Sequence, residues 1–204
     1  MAPVQEVVHA VGSAIEKQDG EALAEALQQI SSSRSNAALI AQLTAGRIDV
    51  RALSSSVLDR PYDEMLAEEL DSLVAIHCND HVKAYSHQER ACTSFHSVFE
   101  KDTSWSLPAM HRLDLLLRMA AVRADAALKM SAAGGGDITT TQEAAVRVLQ
   151  KSFTICISDR AELKVSKKWG TLHVINNLFK IYFQLNKLTL CKNLIKAVDG
   201  PGFP

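Results

Sequence analysis

Apolar residues recur at intervals of three and four along almost the whole chain, and no segment alternates strictly between apolar and polar positions within turn signals. That periodicity predicts helices and no sheet. Val4–Gln18 reads as a first helix stopped near Gly20, and Glu21–Ile30 as a second. The polar run "SSSRSN", 31–36, connects to two shorter helices over Ala37–Ala45 and Val50–Leu58. "DRPYDEMLAEELDSLVAIH" opens a better-defined helix, since proline suits a first turn and Asp63 and Glu64 suit the positive end of its dipole. Asp80–Glu100 forms the next, and Pro108 begins another whose apolar positions include Met110, Leu113, Leu116, Leu117 and Met119. "SAAGGGD" breaks that pattern as a surface loop, and Thr140 with Glu143 fits a capping box for a helix to about Ser158.

The last two segments are the most informative. Between Thr171 and Asn186, Leu172, Val174, Ile175, Leu178, Phe179, Ile181, Tyr182, Phe183 and Leu185 cover more than half the circumference of a helix. So wide an apolar arc is expected to be packed on two sides. Asn186-Lys187 allows a tight reversal into Leu188–Val198, where Leu190, Cys191, Leu194, Ile195 and Val198 face one way and Lys192 and Lys196 the other. Antiparallel pairs stacked in this manner build an α-solenoid, although no exact sequence repeat is present.

Composition adds bounds, and charge adds a candidate surface. The chain has 204 residues, 47% hydrophobic, enough for a sizeable core. No apolar run approaches the ~20 residues of a membrane span and the first twenty residues carry acids, so a soluble intracellular protein without membrane partner is expected. Four scattered cysteines read as reduced core residues. The net charge of −1 conceals an asymmetry. Leu163–Val198 holds Lys164, Lys167, Lys168, Lys180, Lys187, Lys192 and Lys196 with no acid, so it is +7 while the remainder is −8. The plain account is the wet face of helices; the functional one is an acidic partner, nucleic acid or protein.

Catalytic chemistry finds little support. His77 and His81 have a metal-like spacing, but a helix break between them and the lack of a third ligand argue for ordinary helix-end histidines, and no metal or other cofactor is expected. No serine lies in a nucleophile elbow, and the dinucleotide and Walker signatures are missing, so no small-molecule substrate is expected. Glu68 and Glu69 form a carboxylate pair on a helix that reads as solvated.

"SKKWG", "LFKIYF", "NKL", "LCK" and "LIKAVD", in that order, with "PYDEM" and "WSLPAM" upstream, resemble the PCI-domain subunit of the nuclear messenger-RNA export complex that couples transcription to passage through the pore. The resemblance spans most of the chain from about Arg60. It implies an all-α, right-handed α-solenoid of antiparallel, TPR-like helix pairs, the N-terminal part of a PCI domain. Residues 1–59 would be N-terminal helices, 60–199 the PCI-type repeat region and 200–204 a tail. Family members continue through more helices and a winged-helix module, which this chain is expected to lack.

The resemblance further implies a nuclear scaffold without an active site, with the nuclear pore as a place of association. Its implied partners are a large export scaffold, a small acidic subunit shared with the proteasome lid, and RNA or DNA. Lys164, Lys167, Lys168, Lys187, Lys192 and Lys196 become candidate contacts for nucleic acid or an acidic partner, because lysine reads phosphate without regard to sequence. Trp169 and Tyr182 could stack on bases but fit a buried core better. Leu190, Leu194 and Val198 become candidates for packing at the solenoid end. Alternatives are a scaffold of the proteasome lid, the signalosome or translation initiation, and a free-standing nucleic-acid-binding module.

Overall fold

Ten α-helices follow one another in the computed structural model, which describes residues 3–32, 37–46, 48–131 and 139–199. They are α1 (Pro3–Glu16), α2 (Gly20–Ser31), α3 (Ala37–Thr44), α4 (Val50–Val57), α5 (Tyr62–His77), α6 (His81–Phe99), α7 (Leu107–Ser131), α8 (Thr140–Ile157), α9 (Thr171–Gln184) and α10 (Leu188–Val198). Short 3-10 turns at Ser104–Ser106, Leu163–Val165 and Lys167–Gly170 join the longer helices. No strand occurs among the described residues, and none of their helices is long and apolar enough to cross a membrane. The expected loop over the three glycines, most of the "SSSRSN" connection and the "GPGFP" tail lie outside the described residues.

Sequential helices pack side by side, α1 on α2, α5 on α6, α6 on α7, α7 on α8, α8 on α9 and α9 on α10, as expected for an all-α solenoid of antiparallel pairs. Three of the reversals are built alike. Gln18, Asn79 and Asn186 take left-handed conformations at φ 52°, 58° and 55°. At each, the following amide bonds five residues back: Asp19 to the Ala14 carbonyl, Asp80 to Ala75 and Lys187 to Tyr182, at 2.8–2.9 Å. This is the Schellman closure, which satisfies carbonyls that a helix end leaves open. At two of the three, the next side chain also starts the following helix. Asp19 accepts from the Ala22 amide at 3.0 Å and Asp80 from the Lys83 amide at 3.0 Å.

α7 is the spine. Its Met110, Leu113, Leu117, Ala121 and Ala124 are buried at the spacing of one helical face, and it packs against α2, α6, α8 and α9. One continuous core runs from Val4 in α1 to Cys191 in α10. The approach of α2 to the turn before α7 is close enough that a Cβ at Gly20 would meet the Trp105 carbonyl oxygen at 1.7 Å, so this position admits only glycine.

Two local expectations are corrected. α8 begins with Thr139 as its cap residue, without a side-chain bond, and Glu143 pairs with Lys187 at 2.7 Å. The capping is done across helices by Asp125 of α7, which accepts from the Thr141 amide (3.0 Å), the Thr141 hydroxyl (2.5 Å), the Gln142 amide (3.1 Å) and the Gln142 side chain (3.0 Å). Nor are Glu68 and Glu69 solvated: they are 6% and 2% exposed. Glu68 is held by Arg51 at 2.8 Å, His87 at 2.7 Å and Arg90 at 2.9 Å, and Glu69 by Gln88.

Candidate protein and nucleic-acid interface

The C-terminal basic segment begins with a joint. Every residue of "SKKWG" has a structural task, Lys168 by donating its amide to the Ser166 hydroxyl at 3.2 Å. Ser166 is buried and donates to Asp159 at 2.9 Å, while the Lys167 amide donates to the same carboxylate at 2.7 Å. Against the opposing effect of burial, three donors, the Lys167 amide, the Ser166 hydroxyl and the Ala161 amide, together with the Lys167 charge hold Asp159 below its usual range. The Lys167 side chain runs inward. Its ammonium donates to the Phe99, Glu100 and Asp102 carbonyls at 2.9, 3.0 and 2.9 Å and lies 5.4 Å from the Phe99 ring centroid. It thus caps the end of α6. The Trp169 indole donates to the Leu163 carbonyl at 2.6 Å, and Gly170 sits where a Cβ would meet the Leu107 side chain at 2.5 Å.

This geometry changes the candidate list. Lys167, only 5% exposed, is removed from any contact surface. Lys187 is exposed but paired with Glu143, and Lys168 is half-buried. Lys164, Lys180, Lys192 and Lys196 are exposed. The structure therefore spreads the accessible lysines over the turn before α9, over α9 itself and over α10.

Apolar exposure is concentrated in the same segment. Eight of the twelve exposed large hydrophobic side chains among the described residues lie here: Leu163, Val165, Trp169, Leu172, Phe183, Leu188, Leu190 and Ile195. One expectation fails on these residues. Trp169 is 56% exposed rather than core, whereas Tyr182 is buried and its hydroxyl accepts from Gln150 at 3.2 Å. α9 packs against α7, α8 and α10, as its wide apolar arc leads one to expect, but one stripe stays open: Leu172 and Phe183 are 64% and 60% exposed, with Phe179 half-buried against Phe183 edge-on at 6.1 Å. On a helix 172, 176, 179 and 183 share one face, and Lys180 flanks it. In α10 Leu190 and Ile195 are exposed while Leu194 and Val198 are half-buried. Counting apolar residues on the wheel found the width of the arc; asking which part had no neighbouring helix to face would have found this stripe.

Other clusters look chemical and are structural. Asp114, Ser152 and His96 are linked, with His96 Nε2 2.7 Å from the Ser152 hydroxyl, which donates to Asp114 at 2.9 Å. Serine stands in the middle and is fully buried, so no substrate reaches it and no histidine stands between acid and nucleophile. Burial pushes Asp114 up to about 8 and pulls His96 down to about 4, so both are neutral at pH 7. Glu68, Asp71 and His87 lie within 4.8 Å of one another, a metal-like grouping. Arg51 binds both carboxylates and Arg90 binds Glu68, taking the oxygen lone pairs a cation would need. His77 is exposed at the end of α5 and His81 opens α6, with no third ligand grouped with them among the described residues.

Three relatives illustrate what the chain is similar to. It is 43% identical to PCI domain-containing protein 2 of Xenopus laevis over 150 residues, 72% of this chain and 37% of that protein. It is 43% identical to PCI domain-containing protein 2 of Danio rerio over 147 residues, 71% of this chain and 36% of that protein. It is 37% identical to Protein CSN12 homolog of Mycosarcoma maydis over 108 residues, 49% of this chain and 24% of that protein. The first two are matched over a little more than a third of their own length. No family model matches the chain, and no solved structure matches it significantly. These likenesses, carried on a stack of antiparallel helices with no strand among the described residues, support a PCI-domain protein.

Proposed function

We propose that the chain is a non-enzymatic scaffold subunit contributing to nuclear messenger-RNA export coupled to transcription. It acts through protein contacts on α9 and α10 and through their lysines on nucleic acid. One observation carries this reading: the exposed apolar side chains of the molecule gather where acid is absent and lysine is frequent. Apolar surface supplies a docking face and lysine supplies attraction to phosphate or carboxylate. The partners proposed are the large export scaffold and the small acidic subunit shared with the proteasome lid, in the nucleus.

Affinity capture of the chain from nuclear extract tests the reading. Recovery of the export scaffold is expected, and its loss on Leu172→Asp with Phe183→Asp places the contact on α9. The second reading is a PCI-type scaffold of the proteasome lid, the signalosome or translation initiation, which the likeness to proteins named Protein CSN12 homolog keeps in view. Recovery of such subunits without the export scaffold would select it. The nucleic-acid role is tested separately in the assembled complex. Reversing Lys164, Lys180, Lys192 and Lys196 to Glu is expected to weaken binding of unrelated RNAs alike and to make the salt slope shallower by about three. An unchanged affinity and slope would leave these lysines as solubility residues.

A further inference from the structure

A cleft on another part of the molecule is unrelated to the basic segment. It has a volume of about 390 Å³, within the range of small-ligand pockets, and an adjoining lobe of about 130 Å³ shares its walls. α5 and α7 form its two sides, α6 contributes His81, Ala84 and Gln88, and α2 and α3 close one edge with Ile30, Ser31 and Ile40. The lining positions on α7, namely 112, 116, 119, 120 and 123, follow one helical face, as do 69, 72, 73, 76 and 77 on α5. The walls are aliphatic along the middle and polar toward the ends.

The polar groups are incompletely matched. Glu69, 2% exposed, is bound by Gln88, and Ser72 donates to the Ala84 carbonyl at 3.1 Å. Arg112 donates through Nη2 to Ser31, but its Nε is buried with no acceptor. Arg123, exposed on the same face of α7, has no ion pair among the described residues. An unpaired buried donor costs about 1–3 kcal/mol, so the cleft lacks an acceptor. Glu69 does not supply a full negative charge to cancel the guanidiniums, since burial raises its carboxyl to about 7. The site is therefore cationic and aliphatic-walled, and it leaves Arg112 Nε and the nearby His81 Nδ1 without partners.

We propose that this cleft binds an aliphatic carboxylate, its oxygens on Arg112 and its hydrocarbon against Leu73, Ile76 and Leu116, with Arg123 drawing the anion to the mouth. Such a group comes either from a free branched-chain acid or from the C-terminal residue of a peptide. Amide-proton NMR of the whole chain separates the two, with 4-methylpentanoate and acetyl-glycyl-leucine as probes and their amides as controls. Saturable shifts at the Leu73, Gln88 and Leu116 amides are expected with carboxylates and not with amides. Binding of both probes supports the site with the free acid sufficient; binding of the peptide alone supports it with a peptide as source. Arg123→Gln, which removes no packing, is expected to weaken binding about tenfold. Leu116→Trp is expected to abolish it by filling the cleft. Amides binding as well as acids, no saturable shift up to about 10 mM, or full binding by a folded Arg123→Gln protein would each overturn the proposal.

Discussion

Lys167 shows how far one side chain can depart from the average behaviour of its type. A lysine in a run of lysines is normally solvated. This one spends its charge on three main-chain carbonyls. Lys167→Met retains the stem and strands those acceptors, so a loss of about 3 kcal/mol is expected in urea unfolding. Lys192→Ala, on an exposed position, is expected to stay within about 0.5 kcal/mol. Asp114 gives a pH signature. Its folded value of about 8 lies far above the ordinary 3.8, so between those limits the folded chain keeps a proton that the unfolded chain has released. Stability from this group therefore falls with rising pH, by about 1.4 kcal/mol per unit, and levels off above 8. Glu69 acts in the same sense up to about 7. His96 and His111, lowered by burial to about 4 from 6.5, act in the opposite sense, but only between those two values. The decline between pH 7 and 8 thus belongs mainly to Asp114, and Asp114→Asn is expected to flatten it in unfolding midpoints measured across that range.

At the scale of elements, what was legible from sequence was local. The bounds of α10 follow from Asn186 and Lys187, whose reversal is settled within a few residues, and Pro108 sits at the start of α7 as a proline should. What was not legible had its partner elsewhere in the chain. Glu68 and Glu69 look solvated until α6 brings His87 and Gln88 against them, and Arg51 comes from α4. The cap of α8 is the same case, since Asp125 replaces a capping box that its own sequence advertises. Removing four donor interactions from a buried carboxylate, Asp125→Ala is expected to cost about 3 kcal/mol, while Thr140→Ala costs under about 0.5 kcal/mol. Equal losses in thermal or chemical unfolding would return the cap to the local motif. The exposed stripe on α9 was hidden for a related reason: apolar content tells how much surface wants a neighbour, and only the packing tells which part has one.

For the whole molecule, the helices make one continuous core, while α9 and α10 carry unburied apolar side chains at their outer faces. Each large side chain buried there on association would contribute about 1.5–3 kcal/mol before ordering costs. The isolated chain is therefore expected to self-associate with rising concentration. Sedimentation should show this, and Phe183→Ser with Ile195→Ser should reduce it without loss of helical signal. A strictly monomeric protein at high concentration would mean that the stripe is too small or too interrupted by lysine to act without its proper partner.

The clamp around Lys167 has a consequence for how the chain can vary. Its grip on the α6–α7 connection is made to carbonyl oxygens, which every amino acid carries alike. Apart from the Phe99 ring beneath the ammonium, the lock is thus blind to the letters on one side and exacting on the other. Saturation mutagenesis scored by folding should find position 167 nearly intolerant, with arginine too broad for a pocket shaped to a single ammonium. Glu100 should accept most replacements, because its side chain makes an exposed pair with Lys151 at 3.2 Å and its other bonds run through the main chain. A joint of that kind lets the surface of the connection drift freely while the angle between neighbouring helices stays where it was set.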